Sequence, residues 1–259
     1  SGIVRKHSNS DAFSPDDAVK YAAQGGDDGW DSKRYLNIWI CNMGGRTLGY
    51  SSLPGGPTAT DGVVISYDGF GTTGNGRSPF DKGRTATHEI GHWLGLKHIW
   101  GDAICGSDEV DDTPVQQYYN YGCPSFPQVS NCSPDGNGDM YMNFMDFTND
   151  ACMSLFTNGQ KIRMRALFAP GNVRNSFLTS FACDSTLASA GPLPATDTVA
   201  IVKTIRLKFR LALPEAHGKL HIHEWISVCE AVQRELKDST LCNGSCRHGT
   251  ESDETQRNK

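Results

Sequence analysis

The segment from His88 to His98 constrains this chain more than any other. His88 and His92 lie one helical turn apart, which places both imidazoles on the same face of a helix. Gly95 lets the chain leave that helix sharply, so His98 can turn back as a third ligand. Three neutral imidazoles and one open position are the layout of a catalytic zinc site, whereas a structural site is closed by four protein ligands. Glu89 is placed to contact water there without being a ligand.

Local patterns predict the elements around this segment. Residues 35–41 and 62–67 are rich in β-branched and aromatic side chains, which is typical of strands. Residues 83–96 carry apolar side chains at helical spacing and predict a helix with one packed face. A second helix is expected to begin near Thr157, because Thr157 and Gln160 have the spacing of a capping box.

Composition narrows the class of protein. The chain has 259 residues, 37% of them hydrophobic, which is enough for a real core. Its net charge of −5 does not suggest a nucleic-acid-binding surface. It has no run of 18 apolar residues, so no membrane span is expected. Residues 184–199 are rich in Ser, Ala, Pro and Thr and predict a linker. Residues 200–259 then predict a small strand-plus-helix appendage with a disordered tail, whose function the sequence does not indicate.

Nine cysteines point to an oxidising compartment. Four of them lie within a loop-like stretch rich in Gly, Asn, Asp and Pro, and none forms a Cys-x-x-Cys pair. Such loops bury little apolar surface, and disulfides commonly compensate for this in secreted proteins. A secreted, extracellular protein is therefore expected, with any signal peptide absent from this chain. The spacing alone leaves three pairings open for the four cysteines, which are Cys105, Cys123, Cys132 and Cys152.

The histidine segment resembles the long zinc motif of the metzincin metallopeptidases, H-E-x-x-H-x-x-G-x-x-H. The continuation from His98 through Ile99 to Asp102 is similar to the pappalysin (cytophagalysin) family of metzincins. A second landmark, residues 141–147, resembles the Met-turn, with Met145 as the methionine packed beneath the zinc histidines. Residues 149–157 are also similar to pappalysins.

The resemblance covers about residues 2–183 and implies an α+β fold. It predicts a metzincin-like zinc peptidase domain over residues 1–183, with a partial mixed sheet and an active-site helix. A loop-rich C-terminal subdomain with the Met-turn and a C-terminal helix would complete it. The front strand–helix–strand of such domains is expected to be missing, because few residues precede the strand at 35–41.

The activity implied is that of a secreted zinc-dependent endopeptidase, which cuts protein or peptide substrates. Zinc would make hydroxide available at neutral pH, and Glu89 would act as general base and then protonate the departing amine. The resemblance also implies the disulfides Cys105–Cys132 and Cys123–Cys152.

Substrate is expected to bind extended along an edge strand, predicted at residues 62–67 with Val64 and Ile65 in contact. Asp150 has two interpretations. It could form the floor of the S1′ pocket and favour Arg or Lys there, or it could be an ordinary turn aspartate.

An acidic loop offers a second metal site. On composition alone it could be a solvated surface, but several oxygen ligands in one loop suit calcium. Similarity to pappalysins, some of which hold calcium near this place, favours a structural Ca²⁺. The candidate ligands are Asp108, Glu109, Asp111, Asp112 and Thr113.

One departure from the family pattern supports a rival hypothesis. Many metzincins carry a tyrosine two residues after the Met-turn methionine, where it can donate to the tetrahedral intermediate. Here Phe147 stands at that place and has no hydroxyl. Either Tyr141 or a loop residue donates instead, or turnover is reduced. The alternative is a protein that binds zinc but is proteolytically inactive and serves as a binding module.

Overall fold

The computed structural model describes residues 3–72, 76–133 and 136–180, together with the backbone of one strand beyond them. Five strands form a single mixed sheet in the order β1-β5-β2-β4-β3. Four of them run parallel, and β3 pairs antiparallel with β4 at one edge. The strands are β1 Ile3–His7, β2 Asn37–Cys41, β3 Gly49–Ser51, β4 Gly62–Ser66 and β5 Lys208–Leu213.

In the part of the chain that the structure describes, two α-helices accompany the sheet, so the fold is α+β. Helix α1 spans Arg84–Trp93 and α2 spans Asn158–Ala166. Within the described ranges, no helix has the length and apolar character needed to cross a membrane. Short 3-10 turns lie at Ala18–Lys20, Ala22–Gln24 and Asn175–Thr179.

Strands β2 and β4 are buried on both faces. Because side chains alternate along a strand, Ile40 and Ile65 join the core that contains Ile90 of α1, while Trp39 and Val64 join a second core. Burial on both faces explains why these two strands are continuous apolar runs in the sequence.

The predicted strands at 35–41 and 62–67 and the predicted helix at 83–96 are all present, each slightly shorter than expected. The capping box of α2 is also confirmed. The Gln160 backbone N–H donates to Thr157 Oγ1 at 3.1 Å, and the Thr157 N–H donates to Gln160 Oε1 at 3.0 Å.

The expectation that residues 62–67 form the edge strand was wrong. Strand β4 is interior, because β3 pairs with its outer side and pairs Tyr50 with Val64. Val64 and Ile65 are fully buried and cannot present their backbone to a substrate. Strands β1 and β3 were not predicted: β1 lies in a polar stretch, and β3 is only 3 residues long within a Gly/Pro-rich connection.

The sequence predicted a strand within residues 200–259, and β5 lies there. It fits between β1 and β2, with Phe209 opposite Ile3 on one side and Ile38 on the other. The predicted linker at 184–199 and the predicted helix after β5 lie outside the described residues. The domain boundaries therefore remain a prediction.

Both implied disulfides are confirmed. Cys105 pairs with Cys132, and Cys123 pairs with Cys152, at Cα–Cα separations of 5.6 and 5.7 Å. Cys41 on β2 is a buried free thiol.

Candidate active site

The start of helix α1 is held from a distant loop. Gly83 precedes the helix with a positive φ of 71°, and no side chain caps it locally. Instead, Asp150 Oδ2 accepts hydrogen bonds from the Lys82 N–H at 2.7 Å and the Arg84 N–H at 3.1 Å. Backbone donors at a helix start otherwise lack partners, so Asp150 fixes where α1 begins and thereby where its histidines lie.

Three histidine rings converge beside this helix. The Nε2 atom of His92 lies 3.1 Å from Nε2 of His88 and 3.1 Å from Nε2 of His98. Within the described parts of the chain, these three form the one group of metal-ligating side chains whose donor atoms all lie within 4.8 Å of one another.

The other ring nitrogen of each histidine faces an oxygen. His88 Nδ1 lies 2.7 Å from the Phe144 carbonyl oxygen, and His92 Nδ1 lies 2.9 Å from the Leu96 carbonyl oxygen. A carbonyl oxygen only accepts, so these Nδ1 atoms carry the proton and their Nε2 lone pairs are free.

The third histidine follows the same rule. His98 Nδ1 lies 2.5 Å from Asp102 Oδ1, and a carboxylate likewise only accepts hydrogen bonds, so Nδ1 is the donor. Burial, followed by the two neighbouring imidazoles, lowers the pKa of His88 well below its usual value. Burial, followed by His98, lowers the pKa of His92 to about 4. His88 and His92 are therefore neutral rings, and the Nε2 atoms of all three histidines face one another.

Facing lone pairs repel unless a cation lies between them. Zn–N bonds of about 2.0–2.1 Å at tetrahedral angles place ligand nitrogens roughly 3.3 Å apart, close to the 3.1 Å separations found here. The donor set and spacing thus fit a zinc ion held by His88, His92 and His98.

The turn after α1 brings the third histidine into place. Gly95 has a φ of 82°, a left-handed conformation that suits glycine. The chain then passes Leu96, whose N–H donates to Gly91 O at 3.0 Å. The Ile99 N–H donates to Met145 O at 3.2 Å, which ties the segment with His98 to the residues around Met145.

Met145 packs beneath α1. Its side chain is fully buried, and a Cβ added at Gly91 would lie only 2.5 Å from its Sδ. Gly91 is therefore needed for space: the methionine sulfur occupies the volume where any other residue would place its side chain.

Glu89 lies on α1 next to the histidines and is 7% exposed. Its side chain packs against β3, because a Cβ at Gly49 would meet Glu89 Cγ at 2.8 Å. Burial raises the pKa of the Glu89 carboxyl to about 8. A carboxyl with a pKa near neutrality can both accept and release a proton at physiological pH.

A cleft of about 500 Å³ opens over this group. One wall is the edge strand β3 with the residues just before it, and another carries Phe147, Thr148 and Asp150. Tyr121 also lines the cleft and is 66% exposed, whereas Tyr141 does not line it. The expected donor from a loop thus has a candidate in Tyr121.

The structure brings only some of the predicted site residues to this cleft. The three histidines, Glu89 and Asp150 line it, whereas Val64 and Ile65 do not. Asp150 performs the structural task of anchoring α1, and it lines the cleft as well, so the two interpretations of this residue are compatible.

The acidic loop does not gather its five candidate ligands around one point. Glu109 pairs with Lys97 and Arg163, and Asp112 Oδ2 accepts from the Gly159 N–H at the start of α2. Asp108 Oδ1 accepts from Thr113 Oγ1 at 2.8 Å, while its Oδ2 is buried without a hydrogen-bond partner. Asp108 and Thr113 are joined by this hydrogen bond.

Several cleft residues carried no signal in the sequence. Strand β3 was too short to recognise, and Arg84 and Tyr121 enter the cleft from a helix start and a loop. Trp100 and Asp102, by contrast, lie within four residues of His98, and a search for aromatic and acidic neighbours of the ligands would have found both.

Comparisons with known proteins agree with this geometry. The family model Peptidase_M43, described as pregnancy-associated plasma protein-A, matches residues 21–169. Extracellular metalloprotease 1 of Coccidioides posadasii is 36% identical over 140 residues, covering 51% of this chain and 49% of the relative. An extracellular metalloprotease of Pyricularia oryzae is 38% identical over 141 residues, covering 52% of this chain and 48% of the relative. The chain therefore spans about half the length of the curated relatives it matches.

Among solved structures, Tannerella forsythia mature mirolysin in complex with a cleaved peptide is similar, with a TM-score of 0.64 and 50% identity. The match covers 66% of each chain.

Proposed function

The chain belongs to the M43 family of metallopeptidases, the pappalysins, and from that premise we propose that it is a secreted zinc-dependent endopeptidase acting on proteins or peptides. The single observation that carries the proposal is the convergence of three Nε2 lone pairs, each fixed by an oxygen acceptor at the opposite ring nitrogen. His88, His92 and His98 would hold the ion.

Zinc would supply a Lewis acid that acidifies water and polarises a carbonyl oxygen. Glu89 performs the proton transfers. It takes a proton from the attacking water while the water oxygen bonds to the scissile carbonyl carbon. It then delivers that proton to the amine nitrogen as the C–N bond breaks. Its burial against β3 fixes the carboxyl in this place.

The substrate would lie extended along β3. This strand is at the edge of the sheet and lines the cleft, so its outward backbone groups can pair with a peptide as an added strand. The interior position of β4 moves this role from residues 62–67 to Gly49–Ser51.

Asp150 would favour a basic residue at P1′. It lines the cleft together with Arg84, and the Lys82 and Arg84 N–H groups occupy its Oδ2. The second carboxylate oxygen, Oδ1, would face the substrate side chain.

A structural calcium ion is proposed at the acidic loop, reduced to a smaller ligand set. The buried, unpartnered Oδ2 of Asp108 is the kind of oxygen that a hard cation binds. Thr113, which donates to Asp108, and the exposed Asp111 complete this smaller set. Glu109 and Asp112 are engaged by other groups. Calcium should raise the melting temperature of the parent chain but not of Asp108→Asn.

The names of the relatives support secretion, since the two curated relatives described above are called extracellular. The two disulfides are consistent with an oxidising compartment.

A peptidase assay with matched variants tests the proposal. The parent chain should cleave an unstructured protein substrate, lose activity with a chelator and regain it with zinc. Glu89→Gln should bind one zinc per chain and yet lose cleavage by a factor of about 10²–10⁴. If zinc binds and neither protein cleaves any peptide, the alternative of an inactive zinc-binding module replaces the peptidase.

A further inference from the structure

The three histidines differ in what holds them. His88 and His92 donate from Nδ1 to backbone carbonyl oxygens, whereas His98 faces the side chain of Asp102 at 2.5 Å. A carboxylate behind an imidazole fixes its tautomer and raises the basicity of the ligating nitrogen more than a neutral carbonyl does. His98 also lies on the loop after α1, where no helix restrains it.

The backbone at Asp102 is arranged to deliver this carboxylate. Asp102 has a φ of 59°, in the left-handed region that non-glycine residues rarely adopt, and Gly101 before it has a φ of 64°. The Gly101 N–H donates to His98 O at 2.8 Å and closes a tight turn. A strained backbone at Asp102, whose side chain contacts the proposed metal ligand His98, indicates a functional role for that side chain.

The ring of His98 is restrained on its face as well. Trp100 stacks on it with a centroid distance of 4.3 Å and an interplanar angle of 7°. Trp100 is 4% exposed and therefore fixed. Asp102 sets the rotation of the ring within that plane, because its Oδ1 accepts the hydrogen bond from Nδ1.

We propose that Asp102 is a positioning residue for the metal site: its carboxylate orients His98 and strengthens that histidine as a ligand. The inference rests on the proposed zinc site and adds to it a determinant of metal affinity outside the three ligands. Asp102 itself is 59% exposed on its side chain, so it contributes little to the core.

Three substitutions distinguish the effect of losing the Asp102 carboxylate from the effect of changing the backbone strain at this position. Asp102→Gly removes the carboxylate and relieves the left-handed strain, whereas Asp102→Ala removes it and keeps the strain. In Asp102→Asn, the asparagine can adopt the left-handed conformation, and its side chain keeps an oxygen acceptor without charge. Asp11→Ala, an exposed carboxylate that does not line the cleft, is the control.

Zinc dissociation constants are measured by competition with a chromophoric chelator, and melting temperatures are measured on the zinc-free proteins. We expect Asp102→Gly and Asp102→Ala to weaken zinc binding by about 10–100-fold, and Asp102→Asn by less. The zinc-free melting temperature should fall for Asp102→Ala but not for Asp102→Gly. The control should match the parent in both.

Unchanged zinc affinity in Asp102→Gly, with a parent chain that binds zinc, would overturn this inference and leave the proposed function intact. Affinities that follow the melting temperatures, weak only in Asp102→Ala, would assign Asp102 a structural role and also overturn it. A parent chain that binds no zinc would overturn both.

Discussion

At the scale of single residues, contacts with neighbouring atoms determine the histidine tautomers and the residue types that fit in the site. The tautomers of His88 and His92 follow from carbonyl oxygens that can only accept, and the absence of a side chain at Gly91 follows from the Met145 sulfur. Because of these contacts, the effect of a single substitution on stability or activity can be predicted.

Gly91→Ala is expected to destabilise the protein. Alanine would favour the helix by about 1 kcal/mol, but its Cβ would lie 2.5 Å from Met145 Sδ. Overpacking of this kind costs about 1–3 kcal/mol, so the net free energy of unfolding should fall in urea denaturation. The double variant Gly91→Ala with Met145→Ala should show a favourable coupling energy. Simple additivity of the two losses would contradict the contact.

Phe147→Tyr is expected to raise kcat. Phe147 lies against His88 and His98, at ring centroid distances of 5.6 and 4.9 Å, and it has no hydrogen-bond donor. A phenol there could stabilise a developing negative charge, an interaction that is worth about 10²–10³ in kcat when an existing donor is removed.

Steady-state kinetics of Phe147→Tyr and Tyr121→Phe test this together. If Tyr121 now supplies the donor, Tyr121→Phe should lower kcat in the parent and matter less in the Phe147→Tyr background. Equal losses in both backgrounds would show that Tyr121 acts elsewhere.

At the scale of elements, the site is a helix held at both ends by segments distant in sequence. Asp150 fixes the start of α1 through the Lys82 and Arg84 N–H groups. Beyond its end, the Met145 carbonyl oxygen accepts the hydrogen bond of the Ile99 N–H. The helix and the loop that carry the ligands therefore depend on one short segment, residues 145–150.

Two variants of Asp150 distinguish its role in anchoring the start of α1 from the role of its negative charge. Asp150→Asn keeps an oxygen acceptor for the two N–H groups, so its free energy of unfolding should stay near that of the parent. Asp150→Ala leaves those donors without a partner and should cost about 1–3 kcal/mol.

If Asp150 also selects a basic P1′ residue, Asp150→Asn should lose preference for Arg and Lys in peptide-library profiling. An unchanged preference in this well-folded variant would end that interpretation.

The sequence predicts these elements as far as local patterns reach. The histidine ligands lie within one short segment, so helical spacing and Gly95 suffice to predict their convergence. Strand β3 has only 3 residues and no alternation to detect, and its pairing with β4 is what moves the edge of the sheet. Tyr121 reaches the cleft through the fold of a loop, which no local pattern encodes.

At the scale of the whole molecule, a sheet whose strands β2 and β4 are buried on both faces supports a region with little regular structure. Between α1 and α2 the described chain has no named helix or strand, and two disulfides cross-link it. A buried pair adds a further link: Arg174 contacts Asp61 and stacks over Trp93 at 3.7 Å. This joins the chain after α2 to the residue before β4 and to α1.

Removing one disulfide should lower the free energy of unfolding by most of the amount that closing its loop contributes. The bridge between Cys123 and Cys152 closes a loop with a sequence separation of 29, which corresponds to about 3–4 kcal/mol in the chain-entropy account. The double variant Cys123→Ser with Cys152→Ser should lower the free energy of unfolding by about this amount.

Denaturation of the double variant beside the parent, both without reductant, measures the difference. Adding reductant should destabilise the parent more than the variant, because the parent loses both bridges and the variant loses only Cys105–Cys132. Equal sensitivity of the two proteins to reductant would contradict a stabilising role for this bridge.

The central claim is that three imidazole nitrogens share one zinc ion whose remaining position is open to solvent. X-ray absorption at the zinc edge, on the purified chain carrying one equivalent of zinc, tests it directly. We predict three imidazole nitrogens and one non-protein oxygen at about 2.0–2.1 Å, with the bound zinc lost in His92→Ala. A sulfur ligand, a fourth protein ligand, or zinc retained in His92→Ala would contradict the account.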